Sequence, residues 1–546
     1  MPLSAPEGAA ARPSRVPTIA LLASAAVVAV MTLAAYLVSL HGDPVLKSRW
    51  PFVVVGTCVG LIIVLIAVVR LHAFLALVLA ALSAGLMSPV GAFAPTAQAF
   101  KAAKFPELSP IHWVAAIELT AVEFGKTAGS IGIVVGLAAI IGICLLESGS
   151  ADKVVRRFLA AFGEKRAGFA LLLAAYVVSI PIFFDTLFML LVPIAQALWL
   201  RTKKDYMLFV MVICCAGVIT HSMAIPHPGP LAMLEELNRG RPAVDVGFAI
   251  IMGLASGIAV AMVGWWVCRW ANRTTPAEPP AELVKPEVTA SLDRPESELP
   301  SFLAAVTPVI LPVLLISGAS FVKAFTPKSI ADQPWATAVL DWLTFLGERH
   351  VALLIGAAIA VVVLMRQKKV GLGAVANVMG GPLETAGVII LITAAGGAFG
   401  AMLRNSGVRE AIKAATDGAA IDLVLLGWAV AAVIRIAQGS ATVAMLTTAG
   451  IIAPLMQDQM AAGQLGYHPV YLFMAIGYGA FCCSWMNDSG FWVVSRLGGL
   501  TERQTLRSWT VLQTVDSVAG LLLTFALSKL VPMKLAAVAT VAVAGT

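Results

Sequence analysis

Charged side chains are scarce in this sequence. Asp, Glu, Lys and Arg make up 12% of its 546 residues, whereas hydrophobic residues make up 59% and the mean hydropathy is +0.91. Soluble domains carry about 25% charged residues, so this composition excludes a soluble globular protein. The alternation typical of membrane β-barrels is also missing, because apolar runs of about 20 residues are continuous. The composition therefore predicts an all-α polytopic membrane protein.

The cysteine patterns of disulfide-rich or metal-binding proteins are missing too. The seven cysteines lie almost wholly in apolar runs, and no two of them form a CxxC pair. Such cysteines pack as small hydrophobic residues, so we expect neither a disulfide framework nor a metal site, and no cofactor. Basic cytoplasmic loops explain the net charge of +7, and nucleic acid is not an expected partner.

Apolar segments with the length of one membrane span recur along the chain. They cover residues 18–40, 51–69, 71–90, 129–148, 206–233, 247–268, 302–322, 350–365, 385–403, 470–494 and 509–530. The first segment follows Arg12 and Arg15, as the apolar part of a signal peptide would. It is too long for that role, so we expect it to be retained as the first span.

Two further apolar segments, 168–200 and 423–456, are too long for one span and too short for two. Basic clusters flank 168–200 at both ends, which places both ends in the cytoplasm. Residues 404–422 carry three basic and three acidic side chains, and 457–469 lack Lys and Arg, so both ends of 423–456 are expected outside. These patterns predict two re-entrant hairpins that enter the membrane from opposite faces.

The two halves of the chain repeat the same order of elements. The matching stretches lie 258 to 261 positions apart: LLESGS (145–150) with LRNSGV (403–408), LVPIAQ (191–196) with IAPLMQ (452–457), and HPGP (227–230) with DSGF (488–491). Similar halves of opposite orientation form the inverted repeat of secondary transporters.

This repeat predicts the domain organisation. The expected parts are an N-terminal extension with an extra helix (1–50), a first repeat (51–270) with hairpin 168–200 and broken helix 206–233, a polar linker (271–300), a second repeat (301–530) with hairpin 423–456 and broken helix 470–494, and a C-terminal tail (531–546).

Helix-breaking residues interrupt one predicted span in each half. Pro226, Pro228 and Pro230 cannot all lie in a continuous helix, since proline has no N–H and clashes with the preceding turn. The corresponding span contains Asn-Asp-Ser-Gly at 487–490, which are capping and turn residues. Unpaired backbone groups are costly in lipid, so we expect both breaks to line a site where half-helix ends bind a solute. A proline kink packed against neighbouring helices is the alternative for either break.

The predicted hairpin tips are polar. Asp185 and Thr186 follow Pro181 in the first, and a small polar turn around Gly439 lies in the second. A helix that begins at Ser440 would direct N–H donors at an anion, although small polar residues also pack helices together. The candidate substrate-binding residues are Asp185, Thr186, His227, Gly229, Gln438, Gly439, Ser440, Thr442, Asn487, Asp488 and Ser489.

Ionisable residues within the membrane are costly and are usually functional. Those expected to be buried are Asp185, His221, His227, Arg435 and Asp488. The two histidines titrate near neutral pH, and Asp185 could carry a proton if its carboxyl is desolvated, so these three are the candidates for proton coupling. Arg435 is expected either to bind a carboxylate or to pair with an acid. The histidines have no evident third metal ligand, so no metal site is predicted.

Several motifs resemble those of the gluconate permease (GntP) family, which belongs to the ion transporter superfamily. They are FFDTLFMLLVP (183–193), THSMAIPHPGP (220–230), RIAQGSATVAMLTTAGIIAPL (435–455), and NDSGFW (487–492) followed by RSW (507–509). The resemblance covers about residues 52 to 530 and implies proton symport of gluconate and related sugar acids. It also implies a scaffold domain, a mobile transport domain that holds the hairpins and broken helices, and a possible homodimer. Thr186-Leu187 follows the hairpin acid here, where the family has Val-Gly.

These observations predict a proton-coupled symporter for a small hydroxylated carboxylate, with a proton, the substrate and the lipid bilayer as partners. Backbone donors, Ser440 and Thr442 are expected to bind the carboxylate. Gln438, Asn487 and Asp488 are expected to bind hydroxyls.

Other functions remain open at this point. They are a sodium-coupled carboxylate transporter, a D-serine or glycerate permease of the same family, a channel, and a membrane-embedded hydrolase that uses Ser222 beside His221. A hydrolase would need a nucleophile and a base in one water-filled cleft, which adjacency in sequence does not establish.

Overall fold

All regular secondary structure in the described part of the chain is helical, as the composition predicts. The computed structural model describes residues 15–41, 43–94, 96–98, 108–239, 243–280, 295–326, 333–407, 411 and 422–533. The helices of the first half are α1 (Arg15–His41), α2 (Pro44–Ile63), α3 (Ala73–Leu86), α4 (His112–Glu147), α5 (Ser150–Phe162), α6 (Ala167–Val178), α7 (Phe184–Thr202), α8 (Tyr206–Met223), α9 (Pro228–Leu237) and α10 (Val246–Thr274).

The second half is helical in the same way. Its helices are α11 (Phe302–Phe325), α12 (Pro334–Leu346), α13 (Arg349–Lys368), α14 (Leu372–Asn405), α15 (Leu423–Gln438), α16 (Ala441–Ala461), α17 (Val470–Gly479), α18 (Ser489–Leu497), α19 (Glu502–Thr505) and α20 (Val511–Leu530). One π-helical turn, Val64–Val68, follows α2, and another, Leu506–Thr510, leads into α20.

Within the described residues, nine helical segments are long and apolar enough to cross a bilayer. A helix of 20 residues is about 30 Å long, which matches the thickness of the hydrocarbon core. The predicted multi-pass membrane protein is therefore confirmed at this level.

Two helices begin earlier than the hydropathy predicts. Helix α4 begins at His112 rather than at 129, because its charged residues are paired: Lys126 Nζ lies 2.8 Å from Glu123 Oε1, and Arg239 also donates to Glu123. Helix α14 begins at Leu372 rather than at 385. Helices α5 and α12 were not among the predicted spans, since both are only 13 residues long.

Parts of three predicted segments lie outside the described residues. These are residues 1–14 of the N-terminal extension, 281–294 of the linker and 534–546 of the tail. The described part of the extension contains α1, and α2 already begins at Pro44.

The two halves interleave in the core. Helix α8 packs against α6, α7 and α10, and every residue of α17 is buried between α15 and α20. Helix α9 of the first half packs on α16 of the second, and α10 packs on both α8 and α20. A second apolar cluster is formed by α2 and α3 with parts of α4 and α14. The interrupted segments therefore lie inside protein, where freed backbone groups can find partners.

Candidate functional site

The first break comprises residues 224–227, between α8 and α9. Ala224 is extended, with φ −93° and ψ 128°, and Pro228 occupies the first turn of α9, where its missing N–H costs nothing. The helix end packs tightly against two glycines. A Cβ at Gly253 would overlap the Met223 carbonyl, and one at Gly477 would lie 2.9 Å from the Ser222 carbonyl. The carbonyls at the end of α8 therefore lie against the backbones of α10 and α17.

The second break comprises residues 480–488, between α17 and α18. Asp488 caps α18, because its Oδ1 accepts from the Gly490 N–H at 3.0 Å. Ser484, in the middle of the break, is held by the π-helical turn before α20. Trp509 Nε1 donates to Ser484 Oγ at 2.8 Å, and Thr510 Oγ1 donates to the Ser484 carbonyl at 2.6 Å.

Two short connections lie beside the breaks. The first connection, residues 179–183, joins α6 to α7, and the second connection, Gly439 and Ser440, joins α15 to α16. Ser440 caps α16, where its Oγ accepts from the Val443 N–H at 3.4 Å. Gly439 has φ +87°, and a Cβ there would overlap the Asn487 carbonyl. Only glycine tolerates both this positive φ and this close approach of the Asn487 backbone.

Each break contacts the connection of its own half. In the first half, His227 Nε2 lies 2.9 Å from the Ser179 carbonyl, and Thr220 Oγ1 donates to Ser179 Oγ at 2.7 Å. In the second half, the Ile436 carbonyl just before the connection accepts from two donors of the break. They are Asn487 Nδ2 at 2.8 Å and Trp485 Nε1 at 2.9 Å.

The helix that follows each break packs against the helix that follows the connection of the other half. A Cβ at Gly229, just after the first break, would lie 3.4 Å from Thr442 Oγ1, just after the second connection. A Cβ at Gly490 would lie 3.4 Å from a ring carbon of Phe184, just after the first connection. The two breaks, the two connections and the first turns of the helices that follow them therefore lie together, and we call this region the crossing site.

Arg435 lies in this crossing site and is only 4% exposed. One of its Nη atoms donates to Asp488 Oδ2, which also accepts from Ser484 Oγ. Within the described residues, Nε and the other Nη of Arg435 are buried without a hydrogen-bond partner, and the same is true of Asn487 Oδ1. Within the described residues, the crossing site thus contains both unpaired donors, on Arg435, and an unpaired amide acceptor, on Asn487.

His221 brings the first break into the same electrostatic environment. Its ring centroid lies 5.3 Å from that of His227, and it interacts electrostatically with both Arg435 and Asp488. His221 Nδ1 is buried without a partner in the described part of the structure. Asp185, at the first turn of α7, lies close enough to Asp488 for the two like charges to repel each other.

Most of the predicted residues lie at the crossing site. His227 and Asp488 are buried as expected, Thr186, Ser440, Thr442 and Asn487 are partly buried, and the Gln438 side chain lies outside the described residues. The expected burial of Asp185 is wrong, because its side chain is exposed on the first turn of α7, where the helix dipole also favours a carboxylate. Ser489 is exposed as well.

Two residues that the sequence did not single out join the crossing site. They are Ser179, whose carbonyl accepts a hydrogen bond from His227, and Ser484, whose hydroxyl donates to Asp488. Both are polar residues inside apolar runs, and this is the only signal in the sequence that could have identified them.

Comparison with known proteins matches residues 111–531 to the model of the GntP family permease. A gluconate permease of Pseudomonas aeruginosa is 31% identical over 474 residues, which cover 86% of this chain and 96% of that protein. The low-affinity gluconate transporter of Escherichia coli K12 is 28% identical over 470 residues, covering 85% and 96%. The Gnt-II system L-idonate transporter of the same organism is 29% identical over 474 residues, covering 86% and 98%.

Two solved transporter structures share the fold. The Alcanivorax borkumensis YdaH transporter superposes with a TM-score of 0.53 at 15% identity, over 85% of this chain and 100% of that one. The Neisseria gonorrhoeae MtrF efflux pump superposes with a TM-score of 0.54 at 14% identity, over 76% and 84%. At such identities the likeness shows the fold alone.

Proposed function

Because the chain belongs to the GntP permease family, we propose that it imports gluconate or a related small hydroxylated carboxylate by symport with protons. It is a multi-pass protein of the bacterial inner membrane, and its relatives are transporters rather than enzymes. The relatives named above carry gluconate and L-idonate by their names. Both are sugar acids, with one carboxylate and several hydroxyls, which supports this substrate class.

The proposal is carried by the buried Arg435, two of whose nitrogens have no hydrogen-bond partner among the described residues. A guanidinium binds a carboxylate through parallel N–H donors, and such charge-assisted hydrogen bonds are among the strongest in proteins. The substrate carboxylate lies between Arg435 and the amino end of α16, where Ser440 and Thr442 add donors. Asn487 Oδ1, which is buried and has no partner in the described part of the chain, accepts from a substrate hydroxyl.

Asp488 has a different role in this arrangement from the hydroxyl binding expected from the sequence. Its Oδ2 accepts from Arg435 and Ser484, and its Oδ1 accepts from the Gly490 N–H. With these partners it holds Arg435 in place and neutralises part of its charge. Asp488 is therefore a positioning residue, and Arg435 contacts the substrate.

Protons rather than sodium drive the transport. A sodium ion at the first break would need the carbonyls of Ser222 and Met223, but the backbones at Gly477 and Gly253 fill the space beside them. His221 and His227 offer proton sites instead. Asp185 was the third candidate for proton coupling, but its exposed side chain lacks the desolvation that this role requires. His227 Nε2 donates to the Ser179 carbonyl, so its second ring nitrogen is the atom that takes up a proton.

The contacts between halves support the inverted repeat. The helix after each break packs against the helix after the connection of the other half, as expected when two similar units of opposite orientation share one site. We assign 168–200 and 423–456 to re-entrant hairpins from opposite faces, within repeats 51–270 and 301–530. The crossing site belongs to a mobile transport domain, and a homodimer would form through the scaffold.

Uptake into proteoliposomes tests this function directly. Labelled gluconate should accumulate when an inward pH gradient is imposed, and a protonophore should abolish the accumulation. A sodium gradient at equal pH should give none. Accumulation that follows sodium and ignores the pH gradient would replace the proton with sodium as the coupling ion.

A further inference from the structure

A buried carboxyl outside the crossing site has no role in the function proposed above. Asp516 in α20 is 1% exposed, and its Oδ2 accepts a weak hydrogen bond from Cys215 Sγ of α8 at 3.4 Å. Its Oδ1 is buried without a partner in the described residues. The carboxyl lies directly against α10, because a Cβ at Gly264 would come within 2.8 and 2.9 Å of its two oxygens.

The described neighbours of Asp516 include no compensating cation. The titratable neighbours are Cys215 of α8, Cys268 of α10 and Tyr478 of α17, all of them buried. Gln513, one turn earlier in α20, is also buried, and its Nε2 has no partner among the residues that the structure describes. Within the described ranges, no Lys, Arg or His side chain forms an ion pair with Asp516.

This environment favours the neutral form of the carboxyl. An ionised carboxylate buried without a cation and without several donors is strongly unfavourable, so the group binds a proton instead. Asp488 shows the contrast within the same protein, since Arg435, Ser484 and a backbone N–H all donate to it. Of these two buried aspartates, Asp488 has the partners of an anion and Asp516 has those of a neutral acid.

Asp516 is connected to both breaks through the helices it touches. Cys215 precedes His221 by six residues on α8, and Thr510, which holds the second break, precedes Asp516 by six residues. Six helical residues span about 9 Å. Because α10 lies directly against the carboxyl and α8 contacts it through Cys215, we expect its ionisation to require water or donors to enter between these helices. Such a movement would reach the breaks through α8 and α20.

We propose that Asp516 is a proton-binding site of the transport cycle, separate from the residues that bind the substrate. Its carboxylate takes up one proton from the external solution in the outward-facing state and releases that proton to the cytoplasm in the inward-facing state. No other bond is made or broken. The inference rests on the proposed symport, which must hold for the wild-type protein.

The Asp516→Asn variant, which keeps the shape of the side chain but cannot titrate, separates this role from a structural one. Two assays in proteoliposomes are needed: accumulation of labelled gluconate driven by a pH gradient, and counterflow of gluconate at equal pH, which needs no net proton movement. We expect D516N to lose accumulation at least tenfold and to retain counterflow. Asp341→Asn, the same change at an exposed position of α12, should retain both.

Each other result contradicts the proposal in a recognisable way. If D516N accumulates gluconate as the wild type does, Asp516 carries no coupling proton. If D516N loses counterflow as well, the residue serves substrate movement or structure. If the wild type itself shows counterflow without pH-driven accumulation, the symport fails, and with it this role for Asp516.

A measurement on the wild-type protein keeps the test valid if D516N does not fold. Infrared spectra of protein labelled with ¹³C-aspartate should contain the carbonyl band of a protonated aspartic acid at neutral pH. Because the group is buried, this band should persist after brief transfer to D₂O. Spectra without a protonated aspartic acid would overturn the proposal.

Discussion

Arg435 and Asp488 form a buried ion pair through one nitrogen of the guanidinium. The two residues are 53 positions apart, and one Nη of Arg435 donates to Asp488 Oδ2 while Nε and the other Nη have no partner in the described residues. The pair fixes the second break against α15 and presents a cation to the crossing site. Substrate binding and the integrity of the site therefore depend on the same side chain.

Replacing Arg435 by lysine should weaken gluconate binding. Lysine keeps the charge but lacks the planar fork that contacts a carboxylate and Asp488 together. Loss of one charged hydrogen bond costs about 1.5–3 kcal/mol, so we expect the half-saturating concentration to rise roughly 10- to 100-fold. The concentration dependence of gluconate counterflow measures this. Arg503→Lys, at an exposed position of α19, is the matched control. An equal loss of gluconate affinity in this control would contradict a specific role for Arg435.

Replacing Asp488 by asparagine should destabilise the protein because it leaves the Arg435 charge buried and uncompensated. Breaking a buried pair in this way costs about 3–5 kcal/mol. Thermal unfolding in detergent should show a lower Tm for D488N and a partial recovery when Arg435→Gln is added. Additive losses in the double variant would show that the two side chains are not coupled.

Replacing Gly439 by alanine should disrupt the crossing site. The substitution imposes strain at φ +87° and places a methyl group on the Asn487 carbonyl, which pushes the second break away. We expect transport to fall at least tenfold in variants that still reach the membrane. Gly463→Ala is a close control, because Gly463 has φ +67° with nothing within 4 Å of its Cβ position. If both variants transport equally well, the contact with Asn487 is unimportant.

His468, in the loop before α17, should make the folded protein less stable at low pH. Burial lowers the pKa of His468 from 6.5 to about 4, and its Nδ1 accepts from the Val470 N–H at 3.1 Å. The unfolded chain binds a proton below pH 6.5, whereas the folded protein does so only near pH 4. The stabilisation is therefore complete above pH 6.5 and is lost as the pH falls towards 4. Tm measured across this range should fall less in His468→Asn than in the wild type, and parallel curves would exclude the effect.

The sequence predicts those features that depend on local chemistry. The missing N–H of Pro228, the positive φ of Gly439, and the capping oxygens of Ser440 and Asp488 all act within a few residues. These properties predict where the helices begin after both breaks and after the second connection. The all-α fold class follows from the apolar runs.

Features that depend on distant partners could not be predicted in this way. The sequence left two roles open for Arg435. Only the fold shows that this side chain pairs with Asp488 and also has two nitrogens without a partner in the described residues. The early start of α4 depends on Arg239 reaching Glu123, and the exposure of Asp185 depends on which face of α7 packs inward. Asp516 lies in the predicted span 509–530, where an ionisable residue is itself a signal of function, but only the fold shows that no cation pairs with it in the described residues.

The central claim is that the crossing site binds the substrate carboxylate through Arg435. The most direct measurement is a cryo-EM structure in lipid nanodiscs with saturating gluconate. We predict density for the ligand within the crossing site. Its carboxylate should contact the two nitrogens of Arg435 that do not bind Asp488, and one of its hydroxyls should contact Asn487 Oδ1. Gluconate density away from Arg435, or continuous helices through residues 224–227 and 480–488, would contradict this account.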